Sequence, residues 1–139
     1  MYILDTNVLS ELRKPSRRIV ESVESWANTL DSATVYLSVV SLLEIEIGAR
    51  RKLRRDPEQG RILLDWLHGL RSFYRGRILN VDERVAAQCA PLHVPSPRSY
   101  PDALIGATAL THNLTVATRN VEDFVPLGVR VINPWEYTA

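Results

Sequence analysis

Cysteine is nearly missing from this chain. The single Cys89 excludes an internal disulfide, and its place in the helical pattern Val85-Ala86-Ala87-Gln88-Cys89-Ala90 assigns it to the core as a plain thiol. Histidine is scarce as well, and His68, His93 and His112 share no local ligand spacing, which argues against a zinc centre. No apolar run approaches the roughly 20 residues of a membrane span. The opening Met1-Tyr2-Ile3-Leu4-Asp5 lacks the basic start and long apolar stretch of a signal peptide, so the expected location is the cytoplasm. Internal repeats and low-complexity tracts are absent, which removes solenoids and disordered linkers from consideration. What remains is a chain of 139 residues with 45% hydrophobic and 24% charged residues. That length suits one domain over residues 1–139, burying roughly 70% of its unfolded surface.

Charge of one sign is also absent overall, since the formal net charge is +1. Its distribution is uneven, however: residues 50–77 hold nine Lys or Arg against three Asp or Glu, leaving the remainder net acidic. Arg50, Arg51, Lys52, Arg54 and Arg55 open this segment. Such segregation suits a polyanion lying on a basic flank beside an acidic pocket. A solvated helix face is the ordinary alternative.

Strand-like and helix-like patterns alternate along the chain. Tyr2 to Leu4, Val35 to Ser38, Ile78 to Val81, Thr115 to Ala117 and Val129 to Ile132 read as strands. Helical segments are expected from Asn7, as a cap, to Arg13, around Ile19 to Leu30, and from about Ser38 to Leu53. Others are expected over Pro57 to Tyr74, Asp82 to Leu92, Pro101 to His112 and Asn120 to Phe124. Strands joined through helices predict an α/β fold, a mostly parallel sheet with helices on both faces and a ligand site beyond the strands' carboxyl ends. In the 57–74 helix, Ile62, Leu63, Leu64, Trp66, Leu67, Leu70, Phe73 and Tyr74 cover more of the circumference than one core contact needs. A homodimer, or a groove for a partner's amphipathic helix, would use the remainder.

Four acids sit where apolar elements end or begin. Asp5 follows Tyr2-Ile3-Leu4, Glu44 interrupts the apolar start of a helix, Asp102 follows Pro101 at another helix start, and Asp123 closes Thr118-Arg119-Asn120-Val121-Glu122-Asp123. Three of them have a plain structural explanation: a turn acceptor for Asp5, helix-dipole compensation for Asp102, and a capping box with Asn120 for Asp123. Glu44 shares a helix stripe with Ser41, Gly48 and Arg51, while Leu42, Leu43, Ile45, Ile47 and Ala49 are expected to pack around it and Glu46 to pair with Arg50. Asp102, Ile105, Gly106 and Ala109 form a second stripe whose small residues suit a pocket wall. No Lys or Arg accompanies Asp5 or Glu44 in its apolar run, so gathering these carboxylates would call for a divalent cation.

The segments Leu4-Asp5-Thr6-Asn7-Val8, Ser41 to Gly48, Pro101 to Ala107, Thr118 to Phe124 and the closing Ile132-Asn133-Pro134-Trp135 together resemble PIN-domain ribonucleases. Within that family the chain is most similar to the VapC toxins of bacterial toxin-antitoxin pairs. The resemblance spans essentially the whole chain in order and separation. It implies a metal-dependent endoribonuclease with Asp5, Glu44, Asp102 and Asp123 as its acidic cluster, Thr6 and Thr118 as supporting hydroxyls, and a VapB-type antitoxin as partner. Asn7, Ser41 and Asn120 stand beside these acids as further supporting candidates. Hard carboxylate oxygens suit magnesium or manganese, which would activate a water for in-line attack on a phosphodiester.

Two other classes lose a required residue. A haloacid-dehalogenase-like phosphatase expects a second acid two positions after the first aspartate, where this chain has Asn7. A receiver domain needs a lysine at a late strand end, yet no lysine follows Lys52. A PIN fold retained as a binding scaffold is disfavoured by the complete acidic set, whereas a PIN-domain nuclease that is not a toxin stays as the alternative, which a small adjacent gene would decide.

Overall fold

The computed structural model describes residues 1–139. Five strands, β1 (Tyr2–Leu4), β2 (Val35–Ser38), β3 (Ile78–Leu79), β4 (Thr115–Ala117) and β5 (Val131–Ile132), form one sheet in the order β3-β2-β1-β4-β5. Every neighbouring pair is parallel, with Ile3 opposite Val116 and Leu4 opposite Ala117 in the β1–β4 register. The chain first winds outward from β1 through β2 to β3, then returns to β4 on the other side. The order therefore reverses at β1 and β4, where an open parallel sheet leaves a crevice beyond its carboxyl ends.

Seven helices complete the fold: α1 (Thr6–Leu12), α2 (Glu21–Asn28), α3 (Val39–Arg55), α4 (Pro57–Phe73), α5 (Glu83–Cys89), α6 (Tyr100–His112) and α7 (Val121–Phe124). Alternation along the strands divides the core between two faces. Leu4, Leu37 and Ala117 point to one side and pack with Val8, Trp26, Leu42, Ile45 and Leu67, from α1 to α4. Ile3 and Val116 point to the other and pack with Ile105 and Ala109 of α6 and Phe124 of α7. Cys89 is buried with Val85, Ala103 and Ala107 where α5 meets α6, and burial raises its thiol pKa, as suits a structural cysteine.

The differences from the sequence expectations have local causes. Asp5, rather than Asn7, caps α1, because its carboxylate accepts the Thr6 N–H and the helix begins two residues earlier. Only Ile78 and Leu79 pair in β3, and Val81 is exposed. Pairing in β5 likewise starts at Val131. Helix α5 tightens into a 3-10 turn at Ala90–His93, where Pro91 lacks an N–H to continue an α-helix. Leu43 and Ile47 do not pack around Glu44; both are exposed on α3. The small residues of α6 do not wall a pocket. Ile105 and Ala109 are core residues, and Gly106 lies against Leu127, whose Cδ1 would be 2.7 Å from an added Cβ.

Candidate active site

The reversal point of the sheet is where the acids meet. Asp5 leaves β1, caps α1 and is only 5% exposed. Its Oδ1 accepts the Thr6 N–H at 2.8 Å, and its Oδ2 accepts the Thr118 hydroxyl at 2.7 Å and the Asn7 amide at 3.3 Å. Thr118, fully buried at the end of β4, also accepts from Asn7 Nδ2 at 3.3 Å and from the Asn120 N–H at 3.0 Å. Residues from the two ends of the chain thus hold one carboxylate.

Glu44 reaches the same place from the second turn of α3. The Thr6 hydroxyl donates to its Oε1 at 2.8 Å, linking α3 to the first residue of α1. Asp102 enters from the first turn of α6, which Pro101 helps to start. Asp123 lies on α7, directly after the Thr118–Asn120 turn. The capping box expected between Asn120 and Asp123 does not form: Asn120 makes no side-chain cap, and the Asp123 N–H bonds to the Asn120 carbonyl instead.

Electrostatics show that the four acids share one field. Asp102 is pushed up to about 6, first by burial and then by repulsion from Asp5, Asp123 and Glu44, with Ser99 opposing weakly. Burial raises the Asp5 carboxyl too; the hydrogen bonds from Thr118 and Thr6 work against this, and Asp123 adds to it. No cation relieves the group. The ion pairs of the chain are Lys14–Glu11, Arg50–Glu46 and Arg71–Glu46, all elsewhere.

Comparison with known proteins agrees with this arrangement. Residues 2–125 match the PIN domain family. The toxin FitB of Neisseria gonorrhoeae is 36% identical, with 97% of this chain and 99% of that protein covered. The VapC ribonuclease Y4jK of Sinorhizobium fredii is 34% identical, with coverage of 98% and 99%. Among solved structures, FitAB bound to a DNA fragment superposes with a TM-score of 0.88 at 33% identity, covering 100% of this chain and 99% of that one. The chain belongs to the PIN-domain family.

The donor set of this PIN domain fits a hard divalent cation. It offers only carboxylate and hydroxyl oxygens, the acids repel one another, and His or Cys ligands are lacking. No three acidic, histidine or cysteine side chains stand close enough together to ligate one ion by themselves. Magnesium tolerates such a site, because it keeps several waters and takes one or two carboxylates. Asp5 and Asp102 would hold it directly, with Glu44 and Asp123 direct or through water.

Of the supporting candidates, Thr6, Asn7, Thr118 and Asn120 all join the hydrogen-bond network. Ser41 does not: it is fully buried and its hydroxyl has no partner. Thr108 and Thr111 bond back to carbonyls four residues earlier in α6, whereas Ser41 stands in the first turn of α3, where four residues back is still strand. The basic run stands apart. Arg50 is paired with Glu46, and Arg54 lies roughly 15 Å along α3 from Glu44 at about 1.5 Å per residue. Arg119 went unnoticed in the sequence, although it directly follows Thr118. Its backbone N–H donates to Asn7 Oδ1 at 3.3 Å, and its guanidinium lies 5.2 Å above the Trp135 ring.

Proposed function

We propose that this PIN domain, acting as a single domain in the cytoplasm, is a magnesium-dependent endoribonuclease and the toxin of a VapBC-type toxin-antitoxin pair. The observation that carries the nuclease reading is the arrangement of Asp5, Glu44, Asp102 and Asp123 around the β1–β4 reversal, with Asp5 tied to Thr118, Glu44 tied to Thr6, and no Lys or Arg paired with any of the four. Such a pocket is stable when charged only with a bound cation, and one or two magnesium or manganese ions would supply polarisation of a phosphodiester and a water of lowered pKa. Within that frame the protein's own groups have distinct tasks. Thr118 and Asn7 fix the Asp5 carboxylate at the end of β1 through its Oδ2, and Oδ1 accepts a single hydrogen bond from the Thr6 N–H. Thr6 holds one oxygen of Glu44 and leaves the other available to a water. Asp102, drawn towards protonation in the empty field, is the acid whose ionisation most depends on a cation. Asp123 lies where an attacking water could be oriented.

The toxin reading is supported by the relatives' names and by the solved complexes they occur in. The surface supports it independently. Ile62 and Phe73 of α4 are exposed, and Ile62 borders a basic concavity of about 560 Å³ lined by Arg13, Lys14, Arg18 and Trp66. An acidic amphipathic segment of a VapB-type antitoxin suits that chemistry. The exposed Leu43 and Ile47 supply a second apolar strip for a homodimer. The basic run of Arg50, Arg51, Lys52, Arg54 and Arg55 would guide RNA at longer range.

The experiment is cleavage of RNA by purified protein. Activity should appear with magnesium or manganese, stop with chelator, and fail to return with zinc. Full cleavage in excess chelator would remove the metal reading. Replacing two or three residues of the basic run should flatten the salt dependence of RNA binding.

A further inference from the structure

We infer that the concavity between α7 and the turn that follows β5 is a subsite for the nucleotide flanking the cleaved phosphodiester, with Arg119 holding that nucleotide's phosphate. The inference rests on the nuclease reading above. The concavity measures about 470 Å³ and is lined by Arg119, Asn120, Glu122, Asn133 and Glu136, among others. Volumes of this order hold a small organic ligand.

Three observations converge on it. The first is position. The Arg119 N–H is bonded to Asn7 and the Asn120 N–H to Thr118, the two side chains that also hold Asp5. One wall of the concavity is therefore built on the carboxylate site itself, one turn ahead of Asp123.

The second is charge. An acidic pocket repels the phosphates on either side of the one it cleaves, so a cation close to the site is needed to hold them. Arg50 and Arg71 are committed to Glu46, Arg77 to carbonyls of residues 32, 35 and 73, and Arg130 to Asn113. Arg119 is exposed and forms no ion pair. Glu11 feels its charge, but that carboxylate already accepts from Lys14 and from the Val20 N–H.

The third is preorganisation. A cation–π contact with Trp135, 5.2 Å from guanidinium carbon to ring centroid, restrains the Arg119 side chain without using an N–H on a protein acceptor, so its donors remain for a charged, planar acceptor such as phosphate. Asn133 spends its Oδ1 on the Trp135 N–H and keeps its amide donors. Glu122 and Glu136, also on the walls, disfavour a bare anion and accept from N–H groups. The occupant so described carries a phosphate at one end and hydrogen-bond donors at the other. A nucleotide of single-stranded RNA has both.

The test is binding of a mixed-sequence single-stranded oligoribonucleotide, with calcium in place of magnesium, followed by fluorescence anisotropy across a salt series. Arg119→Ala should weaken binding about tenfold and lower the salt slope by about one. Arg119→Lys should restore the slope without the full affinity. Once the wild-type cleavage position is mapped, a neutral methylphosphonate at the flanking linkage should remove the difference between wild type and Arg119→Ala. A cover for Trp135 alone would lower the melting temperature and leave the slope unchanged; that result, or unchanged binding by a folded Arg119→Ala protein, overturns the subsite. If the alanine variant does not fold, Arg119→Gln reads the same slope. Wild-type protein that neither binds nor cleaves RNA would sink the nuclease reading, and the subsite with it.

Discussion

The Thr118 hydroxyl donates to Asp5 Oδ2 at 2.7 Å, joining the ends of β4 and β1 where the strand order reverses. The two residues are 113 apart in sequence, so the bond ties the last third of the fold to its first turn. A buried carboxylate needs such donors, and the other polar contacts of Thr118 organise the turn that leads to Asp123. Thr118→Val keeps the shape and removes them all. Stability at neutral pH should fall by about 1–3 kcal/mol, while Thr118→Ser loses less because it keeps the donor. Chemical denaturation measures both, and an unchanged midpoint for the valine variant would show the bond to be dispensable.

Asp5→Asn separates charge from shape. The amide oxygen still accepts from the Thr6 N–H, but the negative charge proposed to hold a cation is gone. RNA cleavage should drop by more than the about 10–100-fold typical of residues that only support metal ligands. Stability should change little, since removal of a buried charge near Asp123 is offset by loss of the oxygen that accepts from Thr118 and Asn7. Near-normal cleavage by the folded variant would strike Asp5 from the site.

Acid titration should show the repulsion directly. Asp102 has a carboxyl at about 6 in the folded chain against an ordinary 3.8, so between these values the folded protein keeps a proton that the unfolded chain has lost. In metal-free protein its contribution to stability is therefore present at low pH and falls as pH rises from about 4 to about 6. Because the side chain is only half-buried, the effect should be on the order of 1 kcal/mol after solvent screening. Glu11 works in the opposite direction, its lowered carboxyl stabilising the fold above its ordinary 4.5 and losing that effect in acid. Asp102→Asn should remove the first slope and leave the second. Magnesium affinity should rise with pH through about 6, which calorimetry at several pH values would reveal.

Much of this arrangement was legible in the sequence because it depends on local pattern. Tyr2–Leu4, Val35–Ser38 and Thr115–Ala117 are short, mostly apolar runs, and they pair as read. The four acids stand out because each interrupts or terminates an apolar element, and the structure brings them within one another's fields. What pattern does not carry is direction at an element's edge. Leu43 and Ile47 are apolar yet exposed, Gly106 lies under Leu127, and Asp5 takes the cap that Asn7 was expected to hold. Arg119 was invisible for the same reason: its significance lies in Trp135, sixteen residues later in the chain and adjacent only after folding.

Ser41 offers a contrast between burial and use. Its hydroxyl is buried without a partner one turn before Glu44. An unpaired buried hydroxyl costs about 1–3 kcal/mol, so Ser41→Ala should leave the unfolding midpoint unchanged or raise it. Thr108→Ala, which breaks a bond to the Leu104 carbonyl, should lower it. A marked loss of stability in Ser41→Ala would mean that the hydroxyl has a partner in solution, most simply a buried water.

The antitoxin surface proposed on α4 can be tested apart from the nuclease activity. Ile62 is 44% exposed beside the Arg13, Lys14 and Arg18 concavity, whose lining includes none of the four carboxylates. Ile62→Glu places a charge on the apolar strip and an acid among bases that would attract an acidic partner. RNA cleavage should be unaffected, whereas inhibition by the product of an adjacent small gene should weaken strongly, because a charge buried against an apolar partner is costly. Light scattering on the same variant reports whether the homodimer survives, which it should if Leu43 and Ile47 form that contact instead. Inhibition that ignores Ile62→Glu would place the antitoxin elsewhere, while a protein that no neighbouring gene product inhibits would lose the toxin assignment and keep only the nuclease.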